Sequence, residues 1–509
     1  MTHESSVDSP LMLRQLFPSA RFTGARDIPV HACCSDADRC QPGDLYVALL
    51  DSHRDGHDDL SRAISRGAAA VLVERHVISP VPTCQVTDTR DALGILCHHL
   101  AGKPSSQLSV AGITGTSGKT ATTHLLQSIW KKASIQSGLI SSVCHDDGHQ
   151  VMPSCHDTPS PPELADLMAR MTRHDCQRVD LEISSRALAA RQLAGIELDA
   201  AIITRIRSDH LDLHGSLENY RRAKLQILSL LKPAGLAIVN LDDPTTRTLL
   251  PMIDVPLLTF GIHSDADITG TILQRNPNEQ VFLITAGQET AVVRSGVIGN
   301  PHVAHCLAAA ALGLASGLEL ATIAAGLSTP QRVPGHLERV ECGQPFSVYV
   351  DSANHPDTIA MALNAIRIST TGRLICVFGP SGHRSAELRA RMGCVVERSA
   401  DLGIITSHDT REKAPLARSH EVLDGYEQPG QAHIIPDRVE AICWALDQAG
   451  PGDAVLIAGN DIQTNHEQGL TLDNFDDFQV VTEWLYQRSR SPVFPRIYSP
   501  SLTSPHDVN

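Results

Sequence analysis

Short apolar runs alternating with helical stretches predict an α/β fold built on largely parallel sheets and divided into three domains. Three observations carry this expectation. The chain has 509 residues, and at roughly 150 residues per domain that suggests about three. Strand-like runs such as LSVAGIT (108–114), DAAIITRI (199–206) and DAVLIAG (453–459) alternate with helical segments, the rhythm of a parallel sheet with helices on both faces. A glycine-rich turn, Gly112-Ile-Thr-Gly115-Thr-Ser-Gly118-Lys119-Thr120, joins one of these strands to a helix.

In the first segment, 1–104, GDLYVAL (43–49) and AAAVLVE (68–74) read as strands, with the short helix LSRAISRG (60–67) between them. The Gly/Pro/Ser-rich stretch AGKPSSQ (101–107) marks a boundary. The central segment, 105–330, opens with LSVAGIT and the helix TATTHLLQSIWKK. RVDLEIS (178–184), DAAIITRI and LAIVNLDD (236–243) follow as buried strands, 264–298 as a β-rich insertion, and HVAHCLAAAALGLASG (302–317) as an Ala/Leu helix stopped by glycine. A second boundary falls near VPGH (333–336). The last domain, 331–488, alternates FSVYVDSA, GRLICVFG, DLGIIT and DAVLIAG with helices such as DRVEAICWALDQAG (437–450). The Pro/Ser-rich end, 489–509, is expected to be a disordered tail.

Composition narrows the function. Forty-two Lys+Arg against 57 Asp+Glu give a net charge of −15, which weighs against a nucleic-acid binder, whose non-specific affinity needs a basic surface. No run approaches the ~18 apolar residues of a membrane span, so the chain reads as soluble and cytoplasmic. Thirteen cysteines are scattered without a Cys-x-x-Cys pair, and pairs such as Cys33/Cys34 read as packing residues rather than metal ligands.

The glycine turn carries the strongest chemical signal. Glycines let successive N–H groups converge on phosphate oxygens at a helix N-terminus. Lys119 would set a charge on the β/γ-phosphates, and the Thr120 hydroxyl can ligate Mg²⁺. The backbone and side chains of Gly115, Thr116, Ser117 and Gly118 complete an ATP cradle. Glu182, at the end of RVDLEIS, and Asp209-His210, after DAAIITRI, sit where ligands bind in open parallel sheets. Lys224 follows in the helical stretch NYRRAKLQIL.

Taken in order, GITGTSGKT, LEISSRAL, SDHLDLHGSLENYRRAKLQIL, VNLDDP and VPGHLERV resemble the Mur ligase family, and most nearly its UDP-N-acetylmuramoyl-tripeptide synthetase branch. The resemblance implies a UDP-substrate domain, a P-loop-type ATP domain and a Rossmann-like domain for the incoming amino acid. It implies a peptidoglycan-precursor ligase, acting as a monomer on small-molecule substrates. ATP would phosphorylate a carboxylate of a UDP-N-acetylmuramoyl-peptide, and an amino acid would displace phosphate from the acyl phosphate. Position by position, it makes Lys119, Glu182, His210 and Lys224 catalytic, with Thr120, Glu182, His210 and a CO₂-carbamylated Lys224 around Mg²⁺. It assigns Asn240 and Arg384 to the nucleotide, and Asp157, Thr158, Ser184 and Arg411 to substrates.

The sequence departs from the family pattern in several substrate motifs. Asp36-Ala37-Asp38 stands where the family has Asp-Ser-Arg, and Pro301, His302 and His305 replace a phenylalanine and two asparagines. His408-Asp409-Thr410-Arg411 and Gln463 replace an Asp-Asn-Pro-Arg motif and a glutamate. An alternative expectation is therefore a degenerate paralogue that keeps the fold and serves as a binding or scaffold protein. A folylpolyglutamate-type ligase is disfavoured by the N-terminal UDP-domain pattern.

Overall fold

The computed structural model describes residues 10–51, 54–154, 156–207, 209, 211–276, 278–329, 333–380, 385–407, 415–459 and 476–489. It divides into two compact units that part between His336 and Leu337. The expected tail beyond Ser489 lies outside the described residues.

The first unit opens with a five-stranded sheet in the order Arg21–Thr23, Thr83–Gln85, Ala70–Val73, Leu45–Val47, Cys33–Cys34. Only its first pair is antiparallel. The helix Thr89–Leu100 is N-capped by Asp88, whose carboxylate accepts from the Arg90 backbone N–H at 2.9 Å. This helix packs on the helix Pro161–Arg173 of the next layer. Gly94 allows a close approach, since a Cβ there would lie 2.6 Å from the Ala194 carbonyl oxygen.

An eleven-stranded sheet follows, with its long parallel section running Ser137–Ile140, Arg178–Glu182, Ser109–Thr114, Leu198–Ile203, Leu231–Asn240, Leu257–Gly261, Ile268–Arg275. The expected β-rich insertion is an antiparallel extension, in which Ile268–Arg275, Gln280–Ala286 and Glu289–Ser295 pair in succession. Alternation along the strands explains why their runs are continuously apolar. Ala200 and Ile202 face a core with Trp130, Phe260 and Leu307, whereas Ala201 and Ile203 face Met168, Leu181 and Tyr220. Both faces are covered by helices, so both phases of the period-two pattern must be apolar.

The second unit holds a six-stranded sheet in the order Glu338–Val340, Ser347–Asp351, Ala454–Ala458, Leu374–Phe378, Leu402–Ile405, His433–Ile434. All pairs but the first are parallel. The helices Arg438–Gln448 and Asp477–Ser489 cover one face. Arg438 and Asp477, each 1% exposed, form a bidentate pair at 2.8 and 2.7 Å that joins these helices.

Candidate active site

The turn after strand Ser109–Thr114 is shaped by two glycines with positive φ, Gly115 at 157° and Gly118 at 87°. A side chain at either would collide, with the Thr204 hydroxyl at Gly115 and the His305 imidazole at Gly118. Neighbouring side chains collect the turn's inward carbonyls. Thr204 Oγ1 donates to Ser117 O at 2.7 Å, and Lys224 Nζ donates to Gly115 O at 2.7 Å. Thr116 Oγ1 meets Tyr220 Oη at 2.8 Å. The turn is thereby held open above the N-terminus of helix Lys119–Lys132, whose first N–H groups have no intrahelical acceptor and suit an anion.

Lys119 and Thr120 begin that helix. Lys119 Nζ lies 3.8 Å from Glu182 Oε1, and Glu182 Oε2 accepts from the Ser142 backbone N–H and hydroxyl, both at 3.1 Å. The Ser142 hydroxyl is 3.2 Å from that of Thr120. These parallel-strand ends thus place a hydroxyl, a buried carboxylate and an ammonium together. Hard oxygen donors beside a phosphate-binding turn fit Mg²⁺, which takes few protein ligands and shares phosphate oxygens.

Next to them, Thr158 Oγ1 donates to the Glu182 carbonyl at 3.2 Å, and Ser184 caps the helix Ser185–Ala189 by accepting from Ala187 N–H. Asp157, Ser184, Ser185, Arg186, Asp209 and Tyr220 line one cavity with Gly115, Thr116, Lys119 and Lys224. Lys224 is only 2% exposed. Burial, reinforced by the charge of Lys119, pushes its pKa well below that of an ordinary lysine, although Asp209, Glu182 and Asp157 pull the other way. Burial of this kind favours the uncharged amine over the ammonium.

Beside the turn, His305 packs on Gly118 and is held neutral, its pKa lowered to about 3 by burial and by His302, His336 and Arg205. His302 lies lower in the same helix and meets the Ser295 hydroxyl at 2.8 Å.

A family profile described as the Mur ligase middle domain matches residues 113–313, and one described as the Mur ligase, glutamate ligase domain matches 335–461. A UDP-N-acetylmuramoyl-L-alanyl-D-glutamate–2,6-diaminopimelate ligase of Geobacillus kaustophilus is 34% identical over 460 residues, covering 89% of this chain and 94% of that protein. The chain belongs to the Mur ligase family. The correspondingly named ligase of Streptomyces coelicolor is 35% identical to this Mur ligase over 465 residues, covering 88% and 91% of the two chains. Among solved structures, a ligase of the same name shares the fold with a TM-score of 0.69 at 22% identity, over 95% of this chain and all of that one. A MurF ligase from Thermotoga maritima in complex with ADP aligns with a TM-score of 0.61 at 19% identity, covering 90% and 98%.

Of the residues singled out from the sequence of this Mur ligase, Gly115, Thr116, Ser117, Gly118, Lys119, Thr120, Asp157, Thr158, Glu182, Ser184 and Lys224 lie in or beside this cavity. Asn240 does not line it. Its side-chain oxygen accepts from Asp242 N–H at 2.9 Å, shaping the turn after strand Leu231–Asn240. His210, Arg384 and Arg411 lie outside the described residues. Sequence reasoning missed Ser142 and Tyr220. Tyr220 had a usable signal: it precedes Lys224 by four residues on one helix, and its ring lies 4.9 Å from Lys224 Nζ. Ser142 follows a strand end without any motif.

Proposed function

We propose that this chain is an ATP-dependent ligase that joins an amino acid to a carboxylate of a UDP-N-acetylmuramoyl-peptide, as the names of its relatives describe for them. The single observation that carries the reading is the shared cavity. The phosphate-binding turn and Lys119 share one lining with Asp157, Ser184, Asp209 and the buried Lys224, which brings the groups suited to a γ-phosphate and to an acceptor carboxylate side by side.

The carboxylate oxygen attacks the γ-phosphorus as ADP leaves, and the amine then attacks the acyl phosphate. Phosphate departs with the C–O bond electrons, and the ammonium proton passes to solvent. Such transfer depends on positioning and charge neutralisation. Lys119 meets the charge on the transferring phosphoryl group, while the turn's N–H groups orient the β-phosphate. Thr120 and Glu182 would hold Mg²⁺, which when bound neutralises phosphate charge; the resemblance adds His210 as a further ligand. In its uncharged form, which burial favours, the Lys224 amine can add to CO₂, forming a carbamate and releasing a proton, which converts a potential cation into a carboxylate-like group. Ser184, Thr158 and Asp157 would position the substrate, with Arg411 pairing the amino acid's carboxylate and Arg384 and Asn240 on the nucleotide side. Among the described residues no helix is long and apolar enough to cross a membrane; the enzyme is read here as a cytoplasmic monomer, as the family resemblance implies.

Phosphate release from Mg²⁺-ATP, measured with UDP-N-acetylmuramoyl-L-alanyl-D-glutamate across a panel of amino acids, tests the proposal. Release that depends on both substrates is expected. Tight ATP binding with no amino-acid-dependent release would overturn it in favour of a binding protein.

A further inference from the structure

We propose that the N-terminal sheet carries a thiolate-rich divalent-cation site, formed by Cys34, Cys40 and Asp44, that takes Zn²⁺. One ligand atom from each side chain lies within 4.8 Å of the other two. Tetrahedral zinc with S and O ligands holds them about 3.5–3.7 Å apart, so closing the site takes a contraction of no more than about 1 Å. Two sulfurs and one carboxylate favour Zn²⁺ over Mg²⁺ or Ca²⁺, and water fills the fourth position.

The charge of this corner supports the assignment independently. Asp44 is only 9% exposed and Cys40 2%. Among the described residues no Lys, Arg or His forms an ion pair with Asp44, whose carboxylate accepts from the Gln41 backbone N–H at 2.8 Å. A carboxylate this buried ordinarily has a cationic partner. The two cysteines beside it supply the rest of a coordination shell rather than a countercharge.

The topology gives such a cation a role. Strands Cys33–Cys34 and Leu45–Val47 are parallel neighbours, yet only residues 35–44 connect them, with no helix between. Parallel crossovers usually need a dozen or more residues and a helix. Cys34 stands at one foot of this short crossover, Asp44 at the other, and Cys40 on the loop. A cation bound by all three clips the loop to both strands. The loop carries Asp36-Ala37-Asp38, the departure from the family's Asp-Ser-Arg noted above. If the ligase reading holds, loading would therefore act on the KM for the UDP-linked substrate; the cation site itself does not depend on that reading.

Binding displaces two thiol protons to solvent for each Zn²⁺ held, so affinity rises with pH. The neighbouring Cys33 faces the opposite side of the sheet, packing with Leu13, Leu72 and Leu96, its sulfur 3.7 Å from that of Cys97. It serves as an internal control.

The test is titration of metal-free, reduced full-length protein with Co²⁺ and then Zn²⁺, following thiolate-to-cobalt charge-transfer absorption. One equivalent of Co²⁺ with this absorption, displaced by Zn²⁺, is expected for the native chain and for Cys33→Ser. Cys34→Ser, Cys40→Ser and Asp44→Asn should each weaken binding by more than the roughly 10–100-fold typical of losing an outer-shell partner. Near-ultraviolet circular dichroism of each metal-free variant checks folding, and Asp44→Asn leaves both thiols in place should a cysteine variant misfold. Absence of a stoichiometric charge-transfer site in the native chain, or binding unchanged in folded variants, would overturn the proposal.

Discussion

Lys224 Nζ donates to the carbonyl oxygen of Gly115 at 2.7 Å, joining positions 109 residues apart. The bond takes one inward-facing carbonyl of the phosphate turn and, in the same stroke, anchors the buried amine beside Lys119, Asp157 and Asp209. The buried amine and the glycine turn are therefore joined mechanically.

Replacement of this lysine tests that coupling. Lys224→Ala should lower ligation by at least about 10²-fold, the scale of losing one preorganised electrostatic group, with far-ultraviolet circular dichroism unchanged. Added acetate or formate should restore part of the rate. Buffers stripped of CO₂ should slow the native enzyme and re-addition should revive it; native rates in Lys224→Ala would remove the carbamate role.

Lys119→Ala should cost about 10²–10³-fold in kcat, because Lys119 stands 3.8 Å from Glu182 at the head of the turn's helix. Steady-state phosphate release measures this. A rise in KM alone would mean that Lys119 serves binding equally in ground and transition states.

Asp180 lies 1% exposed in strand Arg178–Glu182 and accepts from Trp130 Nε1–H at 2.8 Å. Burial pushes its pKa up from an ordinary 3.8 to about 8, against the pull of Trp130 and Arg178. Below the ordinary value the carboxyl is protonated in folded and unfolded chains alike. Between there and pH 8 the folded chain keeps a proton that the unfolded chain has released, so stability falls as pH rises through this window. Asp180→Asn should remove a decline of a few kcal/mol, seen as a flatter dependence of Tm on pH between 5 and 8.

The Arg438–Asp477 pair is fully desolvated, and removing one partner strands the other. Arg438→Met or Asp477→Leu alone should destabilise the chain by about 3–5 kcal/mol, whereas Arg438→Met with Asp477→Leu should recover most of the loss. Denaturant unfolding of both singles and the double gives the coupling directly.

Much of the site was legible because its signals are local. The turn from Gly112 to Thr120 needs its glycines and its lysine in a fixed order, since backbone N–H groups, a positive φ and a helix start must all fall within a few residues. Glu182 was legible for a related reason: it ends an apolar strand run. Ser142 and Tyr220 were not, because a hydroxyl becomes part of the site only once its strand end or helix lands beside the turn. The contact of the Asn240 side-chain oxygen with Asp242 N–H is likewise a detail of the folded turn that the motif VNLDDP does not announce.

By itself the sequence determined the α/β rhythm, because strands buried on both faces are apolar at most positions and helices such as Asn300–Ala315 stop just before a glycine. It also determined the phosphate turn. Only the tertiary structure decided which distant residues meet: Lys224 with Gly115 and Ser142 with Glu182. The physical reason is the order of the strands. Ser109–Thr114 lies between Arg178–Glu182 and Leu198–Ile203, so residues far apart in the chain meet at one end of the sheet, where burial lowers the pKa of a lysine.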